Sequence, residues 1–260
     1  MIAAEIEKGY NERTAPAKVS QDIVLKSISV GNLRQNITIK GGVVMRSKTG
    51  NIRRATQDLD MDFLRYPLTD AAIDDFVAKI NCLDDIRIER FGNIEELKQQ
   101  EYKGKRIHIR IQDFNGFEIE SKIDLGVHSK MDISQEDYCF DIAFDDDGVN
   151  LLINSNEQML VEKLRSLLKF GAQSTRYKDV FDIHYLSHHI DRKKLHVCLY
   201  SYIFNDTQMN ENDMNDVRKR IQKVFSDKIY VERLSASDKN WTEESVAIIT
   251  KSIMAFLESI

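Results

Sequence analysis

The stretch that decides the fold runs from residue 36 to residue 63 and reads NITIKGGVVMRSKTGNIRRATQDLDMDF. Its first five residues alternate as in a β-strand and stop at Gly41 and Gly42, which predicts a turn into a short helix. Backbone N–H groups at the start of such a helix suit a phosphate. Its last six residues, 58–63, alternate acidic and apolar side chains, which predicts a strand with one charged face.

Asp58 and Asp60 are predicted to lie side by side on that charged face, with Asp62 following them. Carboxylates this close repel one another unless a cation lies between them, and their oxygens suit Mg²⁺ or Mn²⁺. Asp124, at the end of a predicted hairpin, is the third carboxylate that we assign to a metal site. The alternative interpretation of these aspartates is a solvated acidic surface, because Asp-x-Asp recurs at 145–147 in a chain with 42 acidic residues.

The remaining periodicity divides the chain near residue 155. Residues 1–155 are predicted to form an α/β core and residues 156–260 a helical domain that completes the nucleotide site. In the core, Pro16 is taken as a breaker before an opening helix, and Asn115–Gly116 as the turn of an antiparallel hairpin. The predicted segments are helices at 19–33, 71–83 and 94–100, hairpin strands at 107–111 and 117–124, an edge strand at 138–144, a loop at 145–148, and helices at 157–170, 179–188, 212–225 and 242–260.

Composition excludes several classes of protein. A formal charge of −5 argues against a protein that coats nucleic acid with its whole surface. The chain has no apolar run long enough for a membrane span and no signal peptide pattern at its start, so we expect a cytoplasmic protein. His184 and His188 are spaced for zinc, but they have no recognisable third ligand and are interpreted as structural.

Four short motifs carry a resemblance to a known family. Residues 40–46 (KGGVVMR) and 54–60 (RATQDLD) resemble the first motif of AbiEii-type nucleotidyltransferases, and residues 162–169 (EKLRSLLK) and 176–182 (RYKDVFD) resemble the later ones. The similarity spans roughly residues 20 to 190, with the motifs in the family's order. It implies an α+β fold, with a DNA polymerase-β-like nucleotidyltransferase core that contains a mixed sheet and is followed by a helical C-terminal half.

The resemblance also implies a function and a set of site residues. The expected activity is metal-dependent transfer of NMP from an NTP to an acceptor, expected to be an RNA (tRNA) 3′ end. The protein would act as the toxin of a toxin–antitoxin or abortive-infection system, with a cognate antitoxin as a partner. The predicted site consists of Asp58, Asp60, Lys163 and Asp179 as catalytic residues, Asp58, Asp60 and Asp124 as metal ligands, and Gly41, Gly42, Val43, Arg46, Arg54 and Asp182 as nucleotide-binding residues.

Alternatives remain for several of these residues. Without the family resemblance, Lys163 would be interpreted as a surface lysine. Arg54 would equally be interpreted as an ion-pair partner of surface acids. Val43 replaces the serine or threonine that the family usually carries, so its backbone N–H would have to replace a hydroxyl. The rival function is a catalytically weak or inactive nucleotide-binding module that acts through a protein partner.

Overall fold

The computed structural model describes residues 1–97, 104–130 and 132–260. Contacts divide them into two compact units. The first runs to Asn154 and contains the sheet, and the second comprises Ser155–Ile260 together with Asp132–Ser134. We describe each unit by itself. The prediction that the helical domain completes the nucleotide site stays a prediction.

The first unit is built on a mixed seven-stranded sheet of order β3-β4-β5-β2-β1-β7-β6. β2 is antiparallel to β1 and parallel to β5, so the two strands that flank the acidic strand run in opposite directions. β1 is parallel to β7. The strands are β1 (Ile37–Lys40), β2 (Leu59–Phe63), β3 (Ile86–Leu97), β4 (Gly104–Asp113), β5 (Glu118–Val127), β6 (Glu136–Ile142) and β7 (Asp145–Ile153).

The described residues of the first unit also form four α-helices. They are α1 (Ile2–Glu7), α2 (Thr14–Val30), α3 (Gly41–Thr49) and α4 (Asp70–Ile80). The apolar residues at alternate positions of β2, Leu59, Met61 and Phe63, are 0–1% exposed, so one face of this strand lies in the core. Burial of three large side chains on one face fixes the register of the strand, and the aspartates therefore point to the opposite face.

The second unit is entirely helical in its regular structure among the residues that are described. Its helices are α5 (Asn156–Phe170), α6 (Tyr177–Ser187), α7 (Arg192–Leu199), α8 (Met214–Phe225), α9 (Lys228–Ala236) and α10 (Val246–Glu258). Ser155 caps α5 by accepting a hydrogen bond from the backbone N–H of Gln158. In the part of the chain open to inspection, no helix combines the length and apolar character of a membrane span.

The structure confirms the predicted strand, glycine turn and short helix at 36–49, the acidic strand, the hairpin around Asn115–Gly116 and the edge strand β6. It also confirms the four predicted C-terminal helices, although α10 is shorter than predicted. Pro16 does not break the opening helix, because it lies in the first turn, where no backbone N–H is needed.

Two predictions in the first unit are wrong. The predicted helix at 94–100 is strand β3 up to Leu97, and its remaining residues lie outside the described ones. Pairing with β4 overrides the local propensity, since Glu95 and Glu96 lie opposite Arg106 and Lys105. The predicted loop at 145–148 is instead the start of β7, which pairs with β6 from Asp145 onward.

Candidate active site

The candidate active site begins where β1, β2 and β5 lie next to one another. Asp60 on β2 is the register partner of Lys40 on β1 and of Asp124 on β5. Because register partners on neighbouring strands project to the same face, the sheet places these two acids and one base together. The sequence predicted the acids, but it did not predict the lysine.

Each of three aspartates in this region forms an ion pair. Lys122 Nζ lies 2.7 Å from Asp58 Oδ1, and Lys40 Nζ lies 2.6 Å from Asp62 Oδ1. Arg106 donates two hydrogen bonds to Asp124, at 2.7 Å and 2.8 Å, and these bonds raise the pKa of the Arg106 guanidinium above its ordinary value. The charge of the acidic face is therefore largely balanced by basic side chains of the protein.

These pairs decide how well the predicted metal ligands fit a divalent cation. No group of three or more His, Cys, Asp or Glu side chains is arranged to hold a metal ion in the described ranges, and the three-carboxylate metal site stays a prediction. Asp124 is 7% exposed and gives both oxygens to Arg106, which makes its release costly. Asp58 and Lys122 keep 45% and 36% of their side chains exposed, and such a pair contributes little stability. Asp58 and Asp60 therefore fit a cation that also takes oxygens from a substrate phosphate.

The glycine turn lies directly against the acidic strand. Gly41 has φ +66°, and a Cβ at this position would lie 2.5 Å from Asp60 Oδ2. A Cβ at Gly42 would lie 2.7–2.8 Å from three side-chain atoms of Thr56. Both positions therefore need glycine, one for backbone conformation and close approach and the other for close approach alone.

Two predicted phosphate ligands at this turn are buried. Val43 is 0% exposed and Gly42 is also buried, whereas Gly41 is partly exposed. The direct contact of Gly42 and Val43 with a nucleotide stays a prediction, and in this conformation only Gly41 of the turn is partly exposed. The apolar side chain of Val43 packs in the core, and Thr56 covers Gly42.

The predicted arginines are interior as well. Arg46 is 5% exposed, donates a hydrogen bond of 2.7 Å to Gln21 Oε1 and lies 3.8 Å from Asp22 Oδ1. Burial lowers the pKa of Arg46. Arg54 is 4% exposed. Both side chains are therefore almost fully buried in this conformation, and the prediction that they bind phosphate stays a prediction.

Alanine at position 41 is expected to separate activity from stability. The new methyl group would meet the carboxylate of Asp60, and the left-handed backbone would add roughly 1–2 kcal/mol of strain. We expect nucleotidyl transfer to fall at least about tenfold in Gly41→Ala, since displacing a catalytic group by 1 Å is costly. Label transfer from NTP and thermal unfolding would be measured side by side.

Gly50→Ala is the matched control. Gly50 ends the same helix with φ +61°, and nothing lies within 4 Å of the position that its Cβ would take. This variant carries the same kind of backbone strain without touching Asp60. Equal losses of activity in the two variants would contradict the proposed contact between the turn and Asp60.

The second unit contains the other predicted site residues. The predicted ion pair of Lys163 and Asp179 is present, with 3.1 Å between Nζ and Oδ1. Lys163 Nζ also lies 2.8 Å from Asp182 Oδ2. Asp182 is 0% exposed, and its carboxylate holds Lys163 from within the helical unit. The predicted contact of Asp182 with nucleotide stays a prediction. Trp241 donates a hydrogen bond of 2.9 Å to the other oxygen, Oδ1.

His184 lies in α6 and His188 is its C-cap residue. His184 is 6% exposed, and its Nε2 lies 3.2 Å from Glu244 Oε1. Its ring meets the ring of His188 edge to face at 5.1 Å. These contacts are compatible with a structural role, and the interpretation of the pair as structural stays a prediction.

Sequence reasoning missed several residues of the site. Thr56 stands within the quoted motif, so its position relative to the aspartates was a usable indication. Lys122 and Arg106 sit on the predicted hairpin, where alternation with apolar residues places them on the face of Asp124 or next to it. Trp241 is far from every motif in sequence, and no local pattern links it to Asp182.

Comparison with known structures identifies the fold. A crystal structure of an antigenic nucleotidyltransferase-like protein from Paracoccidioides brasiliensis matches with a TM-score of 0.50 and 13% identity, over 84% of this chain and 91% of that one. The solution structure of the antibiotic-resistance factor ANT(2'')-Ia matches with a TM-score of 0.41 and 12% identity, over 71% of this chain and 92% of that one. The mixed sheet with its acidic strand is thus a nucleotidyltransferase fold.

The family follows from the sequence. The model of the family described as "Nucleotidyl transferase AbiEii toxin, Type IV TA system" matches residues 23–254. The chain therefore belongs to the AbiEii family and is a nucleotidyltransferase of a toxin family. A search of curated proteins finds no relative that matches this sequence.

Proposed function

We propose that this protein transfers NMP from an NTP to the 3′ end of an RNA, with tRNA as the acceptor, in a reaction that requires Mg²⁺ or Mn²⁺. The observation that carries the proposal is the contact of the Asp60 carboxylate with the Gly41 turn, beside a second accessible carboxylate, Asp58. A turn that begins a helix favours phosphate, and adjacent carboxylates favour a cation that a polyphosphate shares.

Asp58 and Asp60 are the residues that we assign to the metal. A bound divalent cation supplies positive charge to the polyphosphate and polarises its phosphoryl oxygen. Asp124 keeps Arg106 in place on the neighbouring strand, so we assign it to the site only where a substrate releases that pair. We therefore propose two carboxylates, Asp58 and Asp60, as metal ligands in place of the three that the sequence predicted.

The chain's own residues support the rest of the reaction. A carboxylate of the Asp58–Asp60 pair takes the proton of the acceptor hydroxyl as the new bond from oxygen to the α-phosphorus forms. The bond between the α-phosphorus and its bridging oxygen breaks, and pyrophosphate leaves. In the helical unit, Lys163 is the cation that we assign to the phosphates, and Asp179 orients it.

The biological setting is the one that the family describes. Members belong to a type IV toxin–antitoxin system, so we propose that this chain acts as a toxin and has a cognate antitoxin. RNA acceptors and NTPs are abundant in the cytoplasm, where we propose that the protein acts.

Label transfer tests the proposal. The purified protein would be incubated with each of four α-³²P-labelled NTPs, Mg²⁺ and total tRNA, and the RNA would be separated by electrophoresis. We expect label on RNA, with loss of label on addition of EDTA and in Asp58→Ala. A protein that binds NTP without labelling RNA would instead fit the rival function, a catalytically weak nucleotide-binding module that acts through a protein partner.

A further inference from the structure

We infer that Trp241 is a positioning residue for the site: it fixes Asp182, and through Asp182 it fixes the ammonium group of Lys163. This inference rests on the proposed function, because it takes Lys163 as the group that meets the nucleotide's phosphates. Trp241 belongs to none of the four motifs, and it follows Lys163 by 78 positions in the sequence.

Trp241, Asp182 and Lys163 form a chain of contacts, here called the relay, with the buried carboxylate of Asp182 at its centre. Asp182 is 0% exposed and uses its two oxygens differently. Oδ1 accepts from Trp241 Nε1 at 2.9 Å, and Oδ2 lies 2.8 Å from Lys163 Nζ. A carboxylate held at one oxygen by a rigid donor presents its second oxygen in a fixed direction, and the ammonium group follows that direction.

The surroundings of Trp241 restrict its own motion. The residue is 5% exposed, and its ring packs edge to face on Tyr185 with 5.7 Å between centroids. An indole ring has two side-chain torsions and one donor, so a buried Trp with a hydrogen bond is a stiff anchor. Lysine, by contrast, has a flexible stem, and its ammonium group is directed by its partners.

A positioning role of Trp241 can be distinguished from a merely structural one, because only in a positioning role does the effect of replacing Trp241 depend on Lys163. If Trp241 acts through Lys163, then Trp241→Phe, which keeps an aromatic ring and removes the donor, matters only while Lys163 is present. If Trp241 only stabilises the helical unit, its replacement has the same effect with or without Lys163.

Binding of inorganic tripolyphosphate to the full-length protein would measure this dependence. We expect Trp241→Phe to weaken binding about tenfold, since hydrogen bonds to charged groups are among the stronger ones. In a Lys163→Met background the same change should have less than about a twofold effect. Ile221→Ala is the control. Ile221 is a fully buried apolar residue of α8, so its truncation lowers stability, and its side chain has no group that could hydrogen-bond to Asp182. A tenfold effect in both backgrounds would overturn the inference.

A second measurement does not depend on catalysis or on any ligand. Trp241 is the single tryptophan of the chain, so its indole N–H gives one resonance in a ¹H–¹⁵N spectrum. We expect that resonance to be protected from solvent exchange and to shift in Lys163→Met. An indole that exchanges freely, or one that is indifferent to Lys163, would overturn the relay. If wild-type protein binds no tripolyphosphate while the shift is observed, the phosphate role of Lys163 fails and the relay stands.

Discussion

Asp60→Asn is expected to reduce nucleotidyl transfer at least about 1000-fold while the protein stays folded. The substitution keeps the shape of the side chain and removes its charge. Metal-assisted stabilisation of a phosphoryl displacement contributes several kcal/mol, and each 1.36 kcal/mol corresponds to a tenfold change in rate. Asp60 is only partly buried, so an amide in its place leaves no uncompensated interior charge.

The measurement combines label transfer with titration of Mn²⁺, followed by its electron paramagnetic resonance signal. We expect the Asp60 variant to lose both transfer and tight Mn²⁺ binding. Asp137→Asn provides the matched control, because Asp137 is also a strand aspartate but keeps 68% of its side chain exposed and pairs with Arg34. If the Asp60 variant retained wild-type transfer, the acidic strand would not be the reacting site.

The acidic strand was predictable because its pattern is local. Alternation of Leu59, Met61 and Phe63 with aspartates fixes which face is buried, and the glycine pair marks the end of the preceding strand. Sequence alone could also rank Asp58 and Asp60 as candidates, because adjacent carboxylates on one face have few interpretations besides a solvated surface. For these residues, the order of elements along the chain carries the information.

The basic partners of those carboxylates depend on strand register, which alternation alone does not give. Lys122 lies near Asp58 only because β2 pairs with β5, which is far from it in the sequence. Arg106 meets Asp124 only because β4 and β5 pair with these two residues opposite each other. Pairing of β3 with β4 likewise turned residues 94–97 of the predicted helix at 94–100 into strand. A charged residue in a motif also does not reveal its burial: Arg46 is an interior partner of Gln21, although its type suits phosphate.

Asp206→Ala is expected to destabilise the helical unit by several kcal/mol while leaving the predicted site residues untouched. Arg165 is 2% exposed, and its Nη2 lies 2.7 Å from Asp206 Oδ2. Removing one partner of a buried pair leaves a desolvated charge and costs about 3–5 kcal/mol. The loss of unfolding free energy should lie toward the lower end of this range, because 16% of the Asp206 side chain is exposed and water can partly replace the lost carboxylate.

Denaturant unfolding followed by circular dichroism would measure the loss, and two further variants decide its cause. Arg165→Met combined with Asp206→Leu removes both charges and keeps similar volume, so it should recover most of the lost stability. Asp238→Ala removes a surface acid with 83% of its side chain exposed and should leave the unfolding midpoint unchanged. A double variant as unstable as Asp206→Ala would show that lost packing, and not the loss of the ion pair, is responsible. Arg165 and Lys163 lie on the same helix, α5, so a loss of stability in that helix is expected to displace Lys163, the residue that we propose to contact the phosphates.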